Sequence, residues 1–158
     1  MTLRRMLCAL AASARKPAAT LTALALASAL APLAMAAELT ITVENIRNDR
    51  GNIEISVYDS AAQWPDNPSE ARHQVKPAAH GSIVFKYDLP PGTYAAAGYH
   101  DENANGKFDK DFMGVPKEGF IMSNNPHPSF SAPDFEDVSF TLPPTGAAIT
   151  MRVSYPRY

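Results

Sequence analysis

Apolar and polar residues alternate with a period of two through most of this chain after residue 36. In the first such run, Leu39, Ile41 and Val43 alternate with threonines. The alternating runs span residues 39–43, 53–57, 83–87, 138–142 and 149–155, and residues 93–100 form a further candidate strand that is rich in small side chains. A period of two places successive side chains on opposite faces, so each run predicts a strand with one buried and one wet face.

Turns rich in proline and glycine separate these runs, at residues 90–92 and 143–146. No segment after residue 36 shows a convincing helical period of about 3.6 residues. Short strands joined by such turns predict an all-β fold, a single antiparallel β-sandwich of about seven strands.

The connections between the runs lead to more local expectations. The first two runs flank the polar turn 47–51 and are expected to pair as a hairpin. Residues 59–79 are expected to form a crossover loop. Within it, residues 74–76 predict a short strand and residues 69–73 a helical turn.

The first 36 residues have the features of an export signal. They carry four basic residues and no acidic one, followed by an apolar segment at 18–33. Ala34-Met35-Ala36 has the small residues of a cleavage site. The sequence therefore predicts a signal peptide at residues 1–36, a mature domain at 37–158 and a periplasmic or secreted location. It leaves open whether export uses the general or the twin-arginine route.

The composition after residue 36 argues against several classes of protein. Ten basic and 16 acidic residues give a net charge of −6, which disfavours nucleic-acid binding. The single cysteine, Cys8, lies in the predicted signal, so a mature domain can hold neither a disulfide nor a cysteine-based zinc site. No later segment is apolar enough to span a bilayer, so membrane insertion after signal cleavage is not expected.

Residues 101–134 lack alternation and are expected to form one long irregular loop. They contain four prolines but also many apolar residues, among them Phe108, Phe112 and Phe120. This apolar content argues against disorder, so the loop is expected to pack on the sandwich. A loop of this length in a compact domain is often functional, and something must hold it in place.

The start of this loop has the spacing of a calcium-binding loop. The ligands expected from that spacing are Asp101, Asn103, Asn105, the backbone carbonyl of Lys107, and Asp109. Gly106 falls where the motif needs a sharp turn. Calcium is coordinated by about six to eight oxygens, and a tightly coiled loop directs alternate side chains to one centre.

The last position of the motif departs from the EF-hand pattern, because Phe112 replaces the bidentate glutamate. The missing oxygens are expected from Asp111, Glu118, Glu102 or water. The site would then be an EF-like loop inserted in a β fold, with a dissociation constant in the weak extracellular range of about 0.1–1 mM.

Other interpretations of these residues stay open. A plain Asx-rich turn without metal has the same composition, because Asp, Asn and Gly are common in turns. A small metal-dependent hydrolase could use Glu118 with the aspartates of the loop. Copper could bind through His100, His127, Met113 and Met122, although the packing of these side chains in the fold is the more common outcome. No catalytic residue is assigned, since the chain lacks a G-x-S-x-G elbow.

Aromatic residues could in principle form a carbohydrate surface. Trp64 lies in a polar loop, where a plug at one end of the sandwich is the more common role. Tyr58, Tyr87 and Tyr99 lie in predicted strands and are candidates for such a surface.

Several motifs together resemble an exported bacterial family that is classed as a domain of unknown function (domain of unknown function 2141). They lie at residues 89–95, 100–103, 105–107, 114–119, 123–125, 135–137 and at Phe130, Pro133 and Phe140. The resemblance runs from Leu39 to Tyr155 and implies a small exported β-sandwich of unassigned activity, with no catalytic residue to carry over. The turn at 90–94 is also similar to one in prealbumin-like sandwich modules, which implies a prealbumin-like or Ig-like fold and nothing about function.

Together these features favour a calcium-stabilised binding or structural module of the cell envelope without catalytic activity. The Ca²⁺ ion is expected to neutralise the acidic side chains and to fix residues 110–134 against the sandwich. The expected partner is a protein or an envelope glycan, bound through that loop.

Overall fold

The computed structural model describes residues 35–65, 72–127 and 131–156. Within these ranges the chain forms eight strands and one helix of four residues. They are β1 (Ala37–Ile46), β2 (Asn52–Tyr58), β3 (Arg72–Pro77), β4 (Gly81–Leu89), β5 (Gly92–Asp101), β6 (Gly119–Met122), α1 (Phe135–Val138), β7 (Phe140–Leu142) and β8 (Ala147–Arg152). Residues 1–34 of the predicted signal peptide lie outside the described residues.

The strands form two sheets, as the predicted sandwich requires. One sheet has three strands in the order β4-β1-β8; the other has the order β3-β2-β5-β6, with β7 paired to β5. All described strand pairs are antiparallel except β1 with β8, which run in the same direction and place Leu39 opposite Ala147. The all-β sandwich is therefore confirmed, with one parallel pair added to it.

Apolar side chains from both sheets fill the space between them. Leu39 and Ile41 of β1, Phe85 of β4 and Ile55 of β2 are fully buried. The hydroxyl of Tyr87 crosses this core and donates a hydrogen bond of 3.1 Å to the carbonyl of Ile55, which ties one sheet to the other. Burial of these side chains provides the main driving force for the fold.

The predicted hairpin between the first two runs is wrong. β1 pairs with β4 and β8, whereas β2 pairs with β3 and β5, so the turn 47–51 carries the chain from one sheet to the other. At its end, Gly51 has a φ of 67°, and a Cβ atom there would lie 1.8 Å from the carbonyl oxygen of Asp101. Alternation specifies which side chains face the core, but it does not specify which strand is the neighbour.

Other local expectations are met in part. The short strand at 74–76 is confirmed as the middle of β3. Residues 69–71 of the predicted helical turn lie outside the described residues. Its last two residues, 72 and 73, belong to β3 and are therefore not helical. The strand predicted at 138–142 is shorter than expected and begins at Phe140, because Val138 is the last residue of α1. A 3.1 Å hydrogen bond from the amide of Asp137 to the carbonyl of Asp134 closes the turn of α1.

The long loop contains one strand that its sequence did not reveal. β6 pairs with β5, opposite residues 97–100, and divides the predicted loop into two parts. None of the helices in the described ranges is long and apolar enough to cross a bilayer.

Candidate metal centre

The metal loop, residues 101–118, connects β5 to β6. It leaves the sheet at Asp101, which still pairs with Asn52 of β2, and returns one residue before β6 begins. Its outgoing and returning limbs lie side by side, because the amide of Lys117 donates a 2.9 Å hydrogen bond to the carbonyl of Asp109. Gly106 has a φ of 69°, so the residue expected at the sharp turn does adopt a left-handed conformation.

Asp101 is a fully buried carboxylate at the base of the loop. Its Oδ1 accepts a 3.1 Å hydrogen bond from the amide of Asn105, and its Oδ2 accepts a 2.7 Å bond from the amide of Gly106. The side chain thus folds the first half of the metal loop around itself. Two amide donors offset part of the cost of burying this charge.

Two asparagines bring their side chains to Asp109. The Nδ2 groups of Asn103 and Asn105 donate bonds of 2.8 and 3.0 Å to Asp109 Oδ2. Each asparagine oxygen accepts a backbone amide two residues further on, from Asn105 and Lys107 respectively. The four predicted side-chain ligands therefore lie together in one connected cluster: Asp101, Asn103, Asn105 and Asp109.

Glu118 closes the cluster from the returning limb. Its side chain is 5% exposed, and its Oε2 accepts a 3.1 Å hydrogen bond from the amide of Asp109. Its Oε1 is buried and has no hydrogen-bond partner among the described residues. Burial raises the pKa of Glu118, and the nearby carboxylates of Asp101 and Asp109 raise it further, against the lowering effect of the backbone amides of Asp109 and Glu102. A buried oxygen of this kind is costly unless a donor or a cation faces it.

The cluster is not a preformed metal site. No three His, Cys, Asp or Glu side chains of the described residues are arranged to hold an ion. In this arrangement the asparagine N–H groups serve Asp109 as donors. A cation would replace those N–H groups and would have to draw the three carboxylates closer together.

Comparison with known families places this chain in a wider group. The model of the family described as "Uncharacterized protein conserved in bacteria (DUF2141)" matches residues 41–150. The chain belongs to this family. The match includes the whole metal loop, so the candidate centre lies inside the DUF2141 domain. No curated protein and no solved structure matches the chain.

Glu102, one of the residues expected to complete the site, has other partners in this DUF2141 chain. Its Oε1 accepts bonds of 2.9 Å from Arg47 Nε and 2.5 Å from Asn48 Nδ2, and its Oε2 pairs with the Arg47 guanidinium. The hydrogen bond from Arg47 and the one from Asn48 lower the pKa of Glu102 to about 2, against the raising effect of burial. The carboxylate thus binds the metal loop to the turn 47–51.

Asp111 also lies apart from the cluster. Its Oδ1 accepts the amides of Met113 and Val115, at 2.8 and 2.9 Å, and so closes a separate turn. Lys107 reaches the cluster through its backbone amide, which donates a 2.8 Å hydrogen bond to Asn105 Oδ1. Of the residues named from the sequence, Asp101, Asn103, Asn105, Asp109 and Glu118 come together.

The candidate copper ligands lie in different surroundings, and Met122 and His127 line one shared pocket. Both ring nitrogens of His100 are engaged, Nδ1 with the hydroxyl of Tyr155 at 2.7 Å and Nε2 with the carbonyl of Arg50 at 2.8 Å. His100 is fully buried, in agreement with its interpretation as a packed residue. Met113 is 74% exposed, whereas Met122 lines a cavity.

That cavity, of about 690 Å³, lies beside the metal loop on the outer face of the five-stranded sheet. Its floor holds Glu54 and Ser56, which are both buried. Glu54 Oε2 accepts a 2.7 Å bond from the Tyr99 hydroxyl and lies 3.5 Å from His73 Nε2. His73 Nδ1 in turn lies 3.0 Å from Ser56 Oγ, and Phe108 of the metal loop forms part of the wall.

This polar floor was not predicted from the sequence. Glu54 and Ser56 are the polar residues that alternate with apolar ones in β2. Such residues normally face water, so nothing in the sequence distinguished them from an ordinary solvated face. Of the aromatic candidates, Tyr58 and Tyr99 line the cavity, and Tyr87 is buried between the sheets. Trp64 packs edge-on against Tyr58, with ring centres 5.2 Å apart, and donates to the carbonyl of Pro133.

Proposed function

We propose that this DUF2141 protein is a calcium-stabilised binding module of the bacterial envelope. The observation that carries the proposal is the buried, unpartnered Oε1 of Glu118 beside the carboxylates of Asp101 and Asp109. Three carboxylates in one partly buried cluster repel one another, and a divalent cation removes both the repulsion and the unsatisfied acceptor.

The donor atoms support a hard cation. The cluster offers carboxylate oxygens from Asp101, Asp109 and Glu118 and amide oxygens from Asn103 and Asn105, and the carbonyl of Lys107 is the remaining ligand of the motif. Oxygen donors alone suit calcium or magnesium, whereas copper and zinc favour imidazole or sulfur. An irregular loop favours calcium over magnesium, because magnesium demands near-ideal octahedral geometry.

The proposed role of the ion is structural. It would join the outgoing limb at Asp109 to the returning limb at Glu118, and so fix the start of β6 and the loop wall of the cavity. The buried Glu54 and Ser56, together with the exposed His73 beside them, offer hydrogen-bond acceptors and donors in one place. This is the kind of lining that an envelope glycan or a polar peptide segment needs.

The alternative of a metal-dependent hydrolase has less support. A hydrolytic metal needs an open coordination position and a base that can reach a bound substrate. Glu118 is 5% exposed and its free oxygen is buried inside the loop. We therefore propose a binding protein that is not an enzyme.

Thermal unfolding in excess chelator and then in millimolar calcium, magnesium or zinc tests the proposal. A calcium concentration of 100 times the dissociation constant is expected to stabilise the fold by about 2.7 kcal/mol. A smaller rise is expected with magnesium, and the rise with calcium is expected to disappear in the double variant Asp101→Ala, Asp109→Ala.

The matched control for that variant is Asp111→Ala, because Asp111 lies in the same loop but outside the cluster. Its calcium shift is expected to equal that of the wild type. If no metal raises the midpoint of the wild-type protein, the metal loop is a plain Asx-rich turn and the proposal is wrong.

A further inference from the structure

The metal loop ends in an exposed apolar tip, residues 111–115. Phe112 is 98% exposed and Met113 is 74% exposed. The tip is built firmly: Lys110 and Pro116 form a β-bridge at its base, and the amide of Asp111 donates a 2.8 Å bond to the carbonyl of Val115. A rigid turn that holds a phenylalanine in water indicates a surface that is covered by a partner.

The size of this apolar surface helps to identify the partner. It consists of Phe112, Met113 and the 39%-exposed Val115, and the other large apolar side chains that are exposed in the described residues, Met35, Val75 and Val84, lie on other segments. A stable protein–protein interface buries about 800 Å² on each side and about 20–30 residues. Three side chains on a convex turn are too few for that, but they suffice for shallow insertion at a lipid interface.

Charged residues around the tip point the same way. Lys110 and Lys117 lie at its base, one on each limb, and Lys107 lies further along the metal loop; none of the three forms an ion pair within the described part of the chain. The loop also carries five acids, of which Glu102 is neutralised by Arg47. The remaining four acids and three lysines give a net charge of −1, and a bound Ca²⁺ ion would change it to +1.

We propose that the tip docks on the surface of an anionic lipid bilayer when calcium is bound. Phe112 and Met113 enter the boundary between head groups and acyl chains, while Lys110 and Lys117 contact lipid phosphates. The inference rests on the proposed calcium site, because the ion supplies the change of sign. It involves no membrane-spanning segment, since the contact is made by one turn.

Co-sedimentation with vesicles tests this inference. The protein would be a chain beginning at residue 37, which holds all eight strands and every residue of the described core. The vesicles would be either phosphatidylcholine alone or an equal mixture with phosphatidylglycerol, in millimolar calcium or in chelator. Binding is expected for the anionic vesicles in calcium, and at least about tenfold weaker binding for the double variant Phe112→Ser, Met113→Ser.

The matched control is the double variant Val75→Ser, Val84→Ser. It removes two apolar side chains outside the loop, which are 47% and 43% exposed, and it is expected to bind vesicles like the wild type. The calcium shift of the unfolding midpoint is measured for each protein in parallel. A normal shift without sedimentation of the wild type overturns the docking inference and leaves the calcium site standing. Equal sedimentation of the tip variant, or of the wild type in chelator, also overturns it. Absence of the shift itself overturns the proposed function.

Discussion

The sandwich core and the metal loop remove their side chains from water in opposite ways. In the core, apolar groups such as Phe85 and Ile41 are fully buried and need no specific partner atom. In the loop, the buried group is the Asp101 carboxylate, and each of its oxygens accepts a backbone amide. A polar region therefore has to satisfy every buried polar atom, and Glu118 Oε1 has no hydrogen-bond partner among the described residues.

Within the metal loop, the two glutamates near its ends differ in the charge of their neighbours. Glu102 has the Arg47 guanidinium as a counter-charge, whereas Glu118 has further carboxylates as neighbours. The pKa of the first is lowered and that of the second is raised. One end of the loop is neutralised within the protein itself, and the proposed calcium ion would do the same at the other end.

The largest expected effect comes from the core. Phe85→Ala removes a fully buried ring, and the lost burial and the cavity are expected to destabilise the fold by about 3–5 kcal/mol, with or without calcium. Chemical denaturation measures this loss. The neighbouring Val84→Ala, at a 43% exposed position, is the control and is expected to cost less than about 0.5 kcal/mol. A similar cost for both variants would contradict the described core.

The next effect concerns the contact between the two regions. Gly51→Ala places a methyl group 1.8 Å from the carbonyl oxygen of Asp101, at a φ of 67°. Backbone must shift to relieve this contact, so we expect a loss of about 2–3 kcal/mol and a weaker calcium shift. Gly114→Ala has a φ of 83° but no atom within 4 Å, and it should cost about 1 kcal/mol. Equal costs would show that strain alone, and not the contact with Asp101, matters.

A smaller effect is expected at the paired end of the loop. Because the pKa of Glu102 is lowered from 4.5 to about 2, its contribution to stability is present above pH 4.5 and is lost as the pH falls towards 2. Glu102→Gln is expected to cost about 1–2 kcal/mol at pH 7 and to flatten the stability profile in that window. Denaturation curves from pH 2 to 7 give the answer, and an unchanged acid limb would contradict the pairing with Arg47.

The smallest effect on stability, and the opposite pH dependence, are expected at Glu118. Its pKa is raised above 4.5, so the contribution of its protonated form is present below pH 4.5 and is lost as the pH rises through the raised value. In chelator, Glu118→Gln should remove this loss and leave the protein at pH 7 as stable as the wild type or more stable by up to about 1 kcal/mol. A clear destabilisation in chelator would mean that the carboxylate is satisfied without a cation.

The sequence predicted the faces of the strands better than their neighbours. Alternation placed Leu39 and Ile41 on a buried face correctly, because burial depends on the local period of two. The pairing of β1 with β4 and β8 depends on contacts between residues far apart in the chain, and the adjacent run 53–57 was the wrong choice. β6 was missed because four residues are too few to show a period.

The candidate site was predictable where it is local. The spacing within one short segment was enough to predict that Asp101, Asn103, Asn105 and Asp109 come together. Nine residues coiled around one carboxylate keep their side chains within a short distance of one another. The residue that closes the cluster could not be chosen from spacing alone. Glu118 takes this place because the loop returns antiparallel to itself, whereas Glu102 has Arg47 of the turn 47–51 as its partner.

A calcium titration followed by the backbone amide signals of the protein tests the central claim most directly. We predict that the signals of Gly106, Asp109 and Glu118 shift together and saturate at one ion per chain, while that of Val84 in β4 stays in place. In Glu118→Gln the same signals should need at least about tenfold more calcium, as expected for the loss of a charged ligand. Signals that never saturate, or that shift identically in Glu118→Gln, would contradict the account.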